Sequence, residues 1–300
     1  MGNDQALLDN LGRYSDLELK ADLSLQALWC YMKPIRSPSF TLYLLRDLYR
    51  LVCSIEIEYV RDTNHFPFHY FISASRLHDD IFNYGGDLPL FARLVREKNR
   101  DELRNYAHLC VNVLYRTCVH FNTPMTTIAL VKGDAFAGGF ESVLAHDLII
   151  AEEKAAFGVP ESQFGLFPGM GAYSFLLRRI GRREAERIIF EGKIYTASQM
   201  HEMGLVDVVA PNGKAEEYLK SYIQESADRF YTKWSLFRIR RLSNPVTHDE
   251  LIGITDMWVE AAMRMCEKDI SRMERIATAQ SNKRKLATSR RGDNNRDAFV

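Results

Sequence analysis

The chain has 300 residues, 46% apolar and 26% charged, a globular composition long enough for one large domain or one with a small appendage. Lys plus Arg and Asp plus Glu balance at 39 each, so no overall field singles out nucleic acid as a partner. No apolar stretch reaches the length of a membrane span, and the first twenty residues lack a basic region followed by an apolar one. A cytoplasmic protein is expected. Cys30, Cys53, Cys110, Cys118 and Cys266 are scattered, and without Cys/His ligand spacing they read as reduced thiols, with no metal site expected.

In chain order, residues 17–33 alternate moderately and predict a hairpin of strands, stopped by Pro34 and Pro38. Ser39 is the expected N-cap of an amphipathic helix over about 40–53, with Leu42, Leu45, Leu48 and Val52 near helical spacing. Residues 54–60 read as β-rich, 68–73 as a short apolar strand, and 83–87 as a Gly-Gly loop. A long helical pattern over 89–121 ends before Asn122-Thr123-Pro124, and 128–131 and 148–151 are buried strands. Strands separated by helices of this length predict parallel βαβ units and an α/β core.

Beyond about residue 172 the pattern turns helical: 172–180, 182–191, 197–203 with Gly204 just past its end, then 215–231 and 248–280. The last twenty residues, 281–300, carry six basic and two acidic side chains with little apolar content and read as a solvated, disordered tail.

The segment VKGDAFAGGFESVLAHDLII, residues 131–150, places a nearly side-chain-free bend between a strand and a helix starting near Gly138, with Glu141 in its first turn. Such a bend serves close strand–helix packing, or it lets a ligand touch backbone where free N–H groups and the positive helix end form an oxyanion site. A second acid, Glu161, follows Val159-Pro160 on a loop bounded by Gly158 and Gly165, and reads as a solvated loop acid, as a cap for the segment starting at Ser162, or as one of a pair of carboxylates with Glu141. Gly169-Met170-Gly171 follows a proline loop rather than a strand, which argues against a dinucleotide fingerprint. No nucleophile elbow, HExxH or P-loop is present.

Residues 124–209 resemble the enoyl-CoA hydratase (crotonase) family. Its ordered elements read here as Gly133-Asp-Ala-Phe-Ala-Gly-Gly139, Glu141, His146-Asp147, Ala155-Ala-Phe-Gly-Val-Pro-Glu161, Gly165-Leu-Phe-Pro-Gly-Met-Gly171 and Met200-His-Glu-Met-Gly-Leu-Val-Asp207. The resemblance implies a ββα-superhelix core, here 1–205, a helical trimerisation region, 206–280, and a trimer or pair of trimers. It implies a thioester carbonyl held between two backbone N–H groups, those of Gly138 and, by matching F-x-A-G-A-D-L to Phe71–Leu77, Ser75. Glu161 would then exchange a proton at C2 while Glu141 handles the hydroxyl or water at C3.

On that matching, Ala74 and Arg76 replace the usual Gly and Asp, so Arg76, with Lys33 and Arg36, is a candidate for the phosphate of a coenzyme A or phosphopantetheine arm, or else a solvated surface arginine. Candidate acyl-pocket residues are Phe82, Met170, Leu176, Met257 and Trp258, though ordinary core packing is the favoured reading for any single one. The flanks, LWCYMKPIRSPSFT and HFPFHYFISASRLHDDIFNYGGDL among them, resemble the bacterial diffusible-signal-factor synthases. That resemblance implies dehydration of a medium-chain 3-hydroxyacyl carrier-protein thioester to the cis-2-enoyl thioester, then hydrolysis to the free acid used as a quorum-sensing signal. It implies no cofactor beyond the thioester carrier, and a sensor-kinase partner in some members. The alternatives are an ordinary enoyl-CoA hydratase of fatty-acid breakdown and a non-catalytic acyl- or kinase-binding regulator.

Overall fold

The computed structural model describes residues 2–77 and 80–294. After a first helix, α1 (Gly2–Leu11), the hairpin β1 (Leu17–Asp22) and β2 (Ala27–Met32) opens the molecule, followed by α2 (Leu42–Arg61), β3 (Tyr70–Ser75) and β4 (Ile81–Asn83). The helices α3 (Leu88–Arg96) and α4 (Arg100–Cys118) lead to β5 (Thr126–Val131), β6 (Asp134–Phe136) and α5 (Gly138–Leu144). Then come β7 (Leu148–Glu152), β8 (Ala156–Gly158), a 3₁₀ turn over Pro160–Phe164, and α6 (Ala172–Glu191). Three times, therefore, a longer strand, a short strand and a helical segment follow one another, as the ββα resemblance implies.

The longer strands form one sheet in the order β1-β2-β3-β5-β7-β10, where β10 is Val208–Ala210; the short ones form a second, β4-β6-β8-β9, where β9 is Ile194–Thr196. Pairing is parallel except for β1 with β2 and β8 with β9. Strand β5, TTIALV, is buried along its whole length, which is why it reads as a continuous apolar run rather than an alternating one. Its period of two still divides it: Ala129 and Val131 join the cluster under α2 and α4, while Ile128 and Leu130 face α8 (Ala215–Ser226) and Phe230. Strand β10 lies beyond residue 205 yet completes the large sheet at its edge.

Five element expectations change. The N-cap of α2 is Thr41, whose Oγ1 accepts from Leu44 N–H (3.2 Å), not Ser39. Residues 54–60 continue α2 to Arg61 instead of forming a strand. Leu44, Leu45, Leu48, Leu51, Val52 and Ile55 make one buried stripe, and packing that stripe outweighs the β preference of Ile55, Ile57 and Val60. The pattern over 89–121 is two helices, interrupted where Lys98 adopts a positive φ of 54° and Asn99 caps α4. The C-terminal helices are likewise more numerous: α8, then α9 (Phe230–Ser243), α10 (His248–Ala262) and α11 (Glu267–Asn294), after the short α7 (Ala197–Glu202). Helix α11 runs through 281–294, where a disordered tail was expected; residues 295–300 lie outside the described residues.

The break expected in α6 is present, at Gly181 with φ 78° and ψ 166°. Among the described residues no helix is long and apolar enough to cross a membrane, and no cluster of three or more His, Cys, Asp or Glu could hold a metal.

His146-Asp147, at the junction of α5 and β7, ties the layers together. Asp147 accepts from Thr127 N–H (3.0 Å), lies 2.7 Å from His120 Nε2, and meets Arg240 of α9 at 3.3 Å. Burial alone would raise its carboxyl, but His120, Thr127 and the nearby arginines hold it down to about 2. Because the folded value lies below the unfolded one, this contribution is complete above about pH 4 and is lost as pH falls toward 2. Asp147→Ala is expected to lower unfolding free energy by about 3–5 kcal/mol at pH 7, measured by urea denaturation, and the deficit should shrink below pH 3.

Candidate active site

The site is assembled where the small sheet meets the start of α5. Ala137, at φ 51° and ψ −130°, precedes the helix in a conformation that L residues rarely adopt, and its N–H donates to Gly158 O (2.8 Å). This strained residue turns Gly138 so that its N–H begins the helix. A Cβ on Gly139 would lie 2.1 Å from Asn83 O, so only glycine lets α5 approach β4 this closely.

Asn83 also shapes the facing turn, its Oδ1 accepting from Gly85 N–H at 2.7 Å. Gly85 in turn packs on the α5 terminus: a Cβ there would sit 2.6 Å from Gly138 N. The Tyr106 hydroxyl, from α4, fixes the rest of the turn by donating to Phe40 O (2.5 Å) and accepting from Asp87 N–H (3.1 Å). Gly86 and Gly138 thus line one cavity. Among the described residues neither of their amide N–H groups has an acceptor within the protein. Two such donors beside an enclosed space are what an oxyanion site requires.

The second amide is therefore Gly86 rather than Ser75. Ser75 ends β3, paired with Met32, and does not line the cavity. The motif F-x-A-G-A-D-L fits better eleven residues downstream, where Phe82, Gly85, Asp87 and Leu88 match four of its six fixed positions against two, Phe71 and Leu77, upstream. The apparent replacements at Ala74 and Arg76 disappear with this register. Arg76 instead stacks over Tyr31 (3.8 Å) and pairs with Glu18 (3.3 Å), Arg36 lies over Tyr43 (4.2 Å), and Lys33 is exposed. None of these three basic residues lines the cavity.

Both acids do line it. Glu141, in the first turn of α5, is 1% exposed, and its Oε1 accepts from Met170 N–H (2.8 Å) and Ala172 N–H (3.0 Å). Burial raises its carboxyl to about 7, with those backbone donors opposing the rise. Glu161, placed by the 3₁₀ turn after Val159-Pro160, is 6% exposed, and its Oε2 has no hydrogen-bond partner. Burial first and the neighbouring Glu141 second push its carboxyl well above the usual range. Two buried acids that line one cavity and act on each other share their protons: near neutral pH the favoured state carries one, on Glu161, with Glu141 as the carboxylate.

Of the five acyl-pocket candidates, Met170 and Trp258 line the cavity. Phe82 is buried against a separate small cavity beside Met32 and His146, Leu176 is packed in the core, and Met257 is 59% exposed. Helix periodicity explains the last pair, since adjacent residues on α10 point to different faces. The sequence reading missed Gly86, Tyr106, Ala107, Cys110 and Phe164, all of which line the cavity. Only Gly86, within its Gly-Gly pair, carried a signal; the α4 residues look like any buried stripe. The cavity is small, about 40 Å³, and the Met170 sulfur packs on Gly138, 2.7 Å from where a Cβ would stand.

Residues 75–238 match the family described as enoyl-CoA hydratase/isomerase, more than half of the chain. A candidate enoyl-CoA hydratase of Thermus thermophilus is 30% identical over 184 residues, covering 61% of this chain and 67% of that protein. The 2,3-dehydroadipyl-CoA hydratase of Escherichia coli is 39% identical over 98 residues, covering 33% of this chain and 38% of that one. The crystal structure of enoyl-CoA hydratase from Bacillus halodurans superposes with a TM-score of 0.69 at 22% identity, covering 87% of this chain and 99% of that one.

Tyr106→Phe removes the hydroxyl that bridges Phe40 and Asp87. It is expected to cost about 1–3 kcal/mol of stability by leaving a buried amide unsatisfied, read by chemical denaturation. Gly139→Ala should be more damaging still, since the added methyl meets backbone.

Proposed function

The chain belongs to the enoyl-CoA hydratase/isomerase family, and on that premise we propose that it adds water to, or removes it from, C2–C3 of an acyl thioester through Glu141 and Glu161. The observation that carries this reading is a pair of buried, interacting carboxyl groups in one cavity with the free amides of Gly86 and Gly138. In the hydration direction the Glu141 carboxylate takes a proton from water as it attacks C3. The amide pair stabilises the enolate oxygen, and Glu161 delivers its proton to C2. Dehydration is the same path reversed, starting from the tautomer in which Glu161 is the carboxylate and Glu141 carries the proton. One proton on the pair serves both directions.

The finer reading is dehydration of a medium-chain 3-hydroxyacyl thioester on acyl carrier protein to the cis-2-enoyl thioester, followed by hydrolysis to the free cis-2-unsaturated acid. It is supported by the sequence flanks and by the presence of both acids. Hydrolysis needs no added nucleophile: the amide pair that holds an enolate oxygen also holds a tetrahedral one while a glutamate activates water at the carbonyl. The cis outcome would come from the C2–C3 torsion the cavity imposes. The relatives' names favour a second reading, an ordinary enoyl-CoA hydratase acting on the trans-2-enoyl thioester. A trimer or pair of trimers, and a sensor-kinase contact, remain part of the proposal drawn from the resemblance.

Incubation with 3-hydroxydecanoyl carrier protein distinguishes the two by mass spectrometry. Free cis-2-decenoic acid supports the synthase; reversible hydration of trans-2-decenoyl-CoA with no free acid supports the hydratase. Glu141→Gln and Glu161→Gln should each lower kcat by at least about 10²-fold, and near-normal turnover in both rejects the assignment. For hydration, kcat/KM should fall on the acid side with an apparent pKa near 7, as the Glu141 carboxylate protonates.

A further inference from the structure

A second cavity, larger than the reaction cavity, lies at the other end of α5. It measures about 340 Å³, within the roughly 300–1,000 Å³ of small-molecule sites. The two cavities share no lining residue. Five arginines line this second one: Arg178 and Arg179 from α6, and Arg238, Arg240 and Arg241 from α9.

Their partners are mostly neutral. Arg179 donates to the carbonyls of Leu144 and His146, and Arg241 to that of Cys118. Arg238 lies over the Trp234 ring at 4.8 Å. Arg178 is paired with Glu250 (2.7 Å) and also donates to the carbonyls of Ser174, Asn244 and Pro245. Arg240 and Arg241 share Asp147, at 3.3 and 3.8 Å. Asp207 is a further acid acting on Arg179. Five guanidiniums against three carboxylates leave an excess of two positive charges. His146 and His120 add none near neutral pH, since burial lowers both.

That excess is uncomfortable. Burial and the neighbouring Arg240 depress Arg179, and burial depresses Arg241. The lining also has an apolar wall, with Val119, Leu144, Phe175 and Val246. An inorganic anion would leave this wall facing water, and a neutral lipid would leave the charge uncompensated.

We propose that this cavity is a second binding site, for an amphipathic carboxylate of the fatty-acid class, its head among the α9 arginines and its chain along the apolar wall. Arginine suits the head because its planar fork grips a carboxylate with two donors and keeps its charge when partly buried.

The test is calorimetric titration of the full chain with decanoate, decanol and inorganic phosphate. Decanoate should bind saturably, with decanol and phosphate each at least about tenfold weaker. Arg238→Gln, which leaves Asp147 and its partners intact, should weaken decanoate by roughly tenfold. Val246→Trp, which fills the apolar side while keeping every charge, should weaken it as much, and Glu161→Gln should leave it unchanged. Equal binding of phosphate or decanol, undiminished binding in both cavity variants, loss in Glu161→Gln, or no binding of decanoate would each overturn the proposal.

Discussion

Two interacting buried carboxyl groups cannot both be ionised without a cation, and no lysine, arginine or histidine is among the residues lining the cavity around Glu141 and Glu161. That constraint organises the site. Glu141 keeps a carboxylate within reach of neutral pH because Met170 and Ala172 donate their amides to it. Glu161 has less support, its own backbone amide set against burial and a negative neighbour, and its Oε2 has no partner, so the proton settles there. The asymmetry comes from backbone, from a loop entering α6 on one side and a bare 3₁₀ turn on the other. The proposed division into water-activating base and C2 acid follows from it.

The amide pair depends on a different constraint, the close approach of two backbones. Gly86 and Gly138 come from turns more than fifty positions apart in sequence, joined because β4 and β6 pair in the small sheet. Gly139 and Gly85 allow contact that any side chain would block, and Ala137 holds a strained conformation to aim the helix. Tyr106 and Asn83 then lock the facing turn. Such preorganisation is what makes backbone donors useful to a developing oxyanion, since nothing has to move as charge appears.

Much of this was legible in the sequence, and what was not failed for identifiable reasons. Glu141, Glu161 and Gly138 sit in dense, ordered motifs, so their meeting in one cavity could be anticipated. Ser75 was displaced by Gly86 because a short pattern was matched on its aromatic and leucine ends, while its glycine and aspartate, the letters with backbone consequences, lay eleven residues on. Residues 54–60 misread as strand because propensity is local, whereas the stripe that makes α2 helical exists only against α4. The arginines of α9 belong to no motif; that they converge with α6 on one cavity is a tertiary fact that no spacing encodes. Cavity-lining residues on α4 carry no pattern distinct from core.

The shared proton is the central claim, and it can be watched directly. With ¹³C-labelled glutamate side chains, the Glu141 and Glu161 carboxyl resonances, assigned through the single Gln variants, are followed by NMR across pH 3–10 without substrate. The account predicts that neither titrates as an ordinary glutamate: Glu141 should ionise near neutral pH and Glu161 well above the usual glutamate range, with each change felt at both signals. Two independent titrations between pH 4 and 5 would contradict it, because they would mean that both groups are solvated and no proton is held between them.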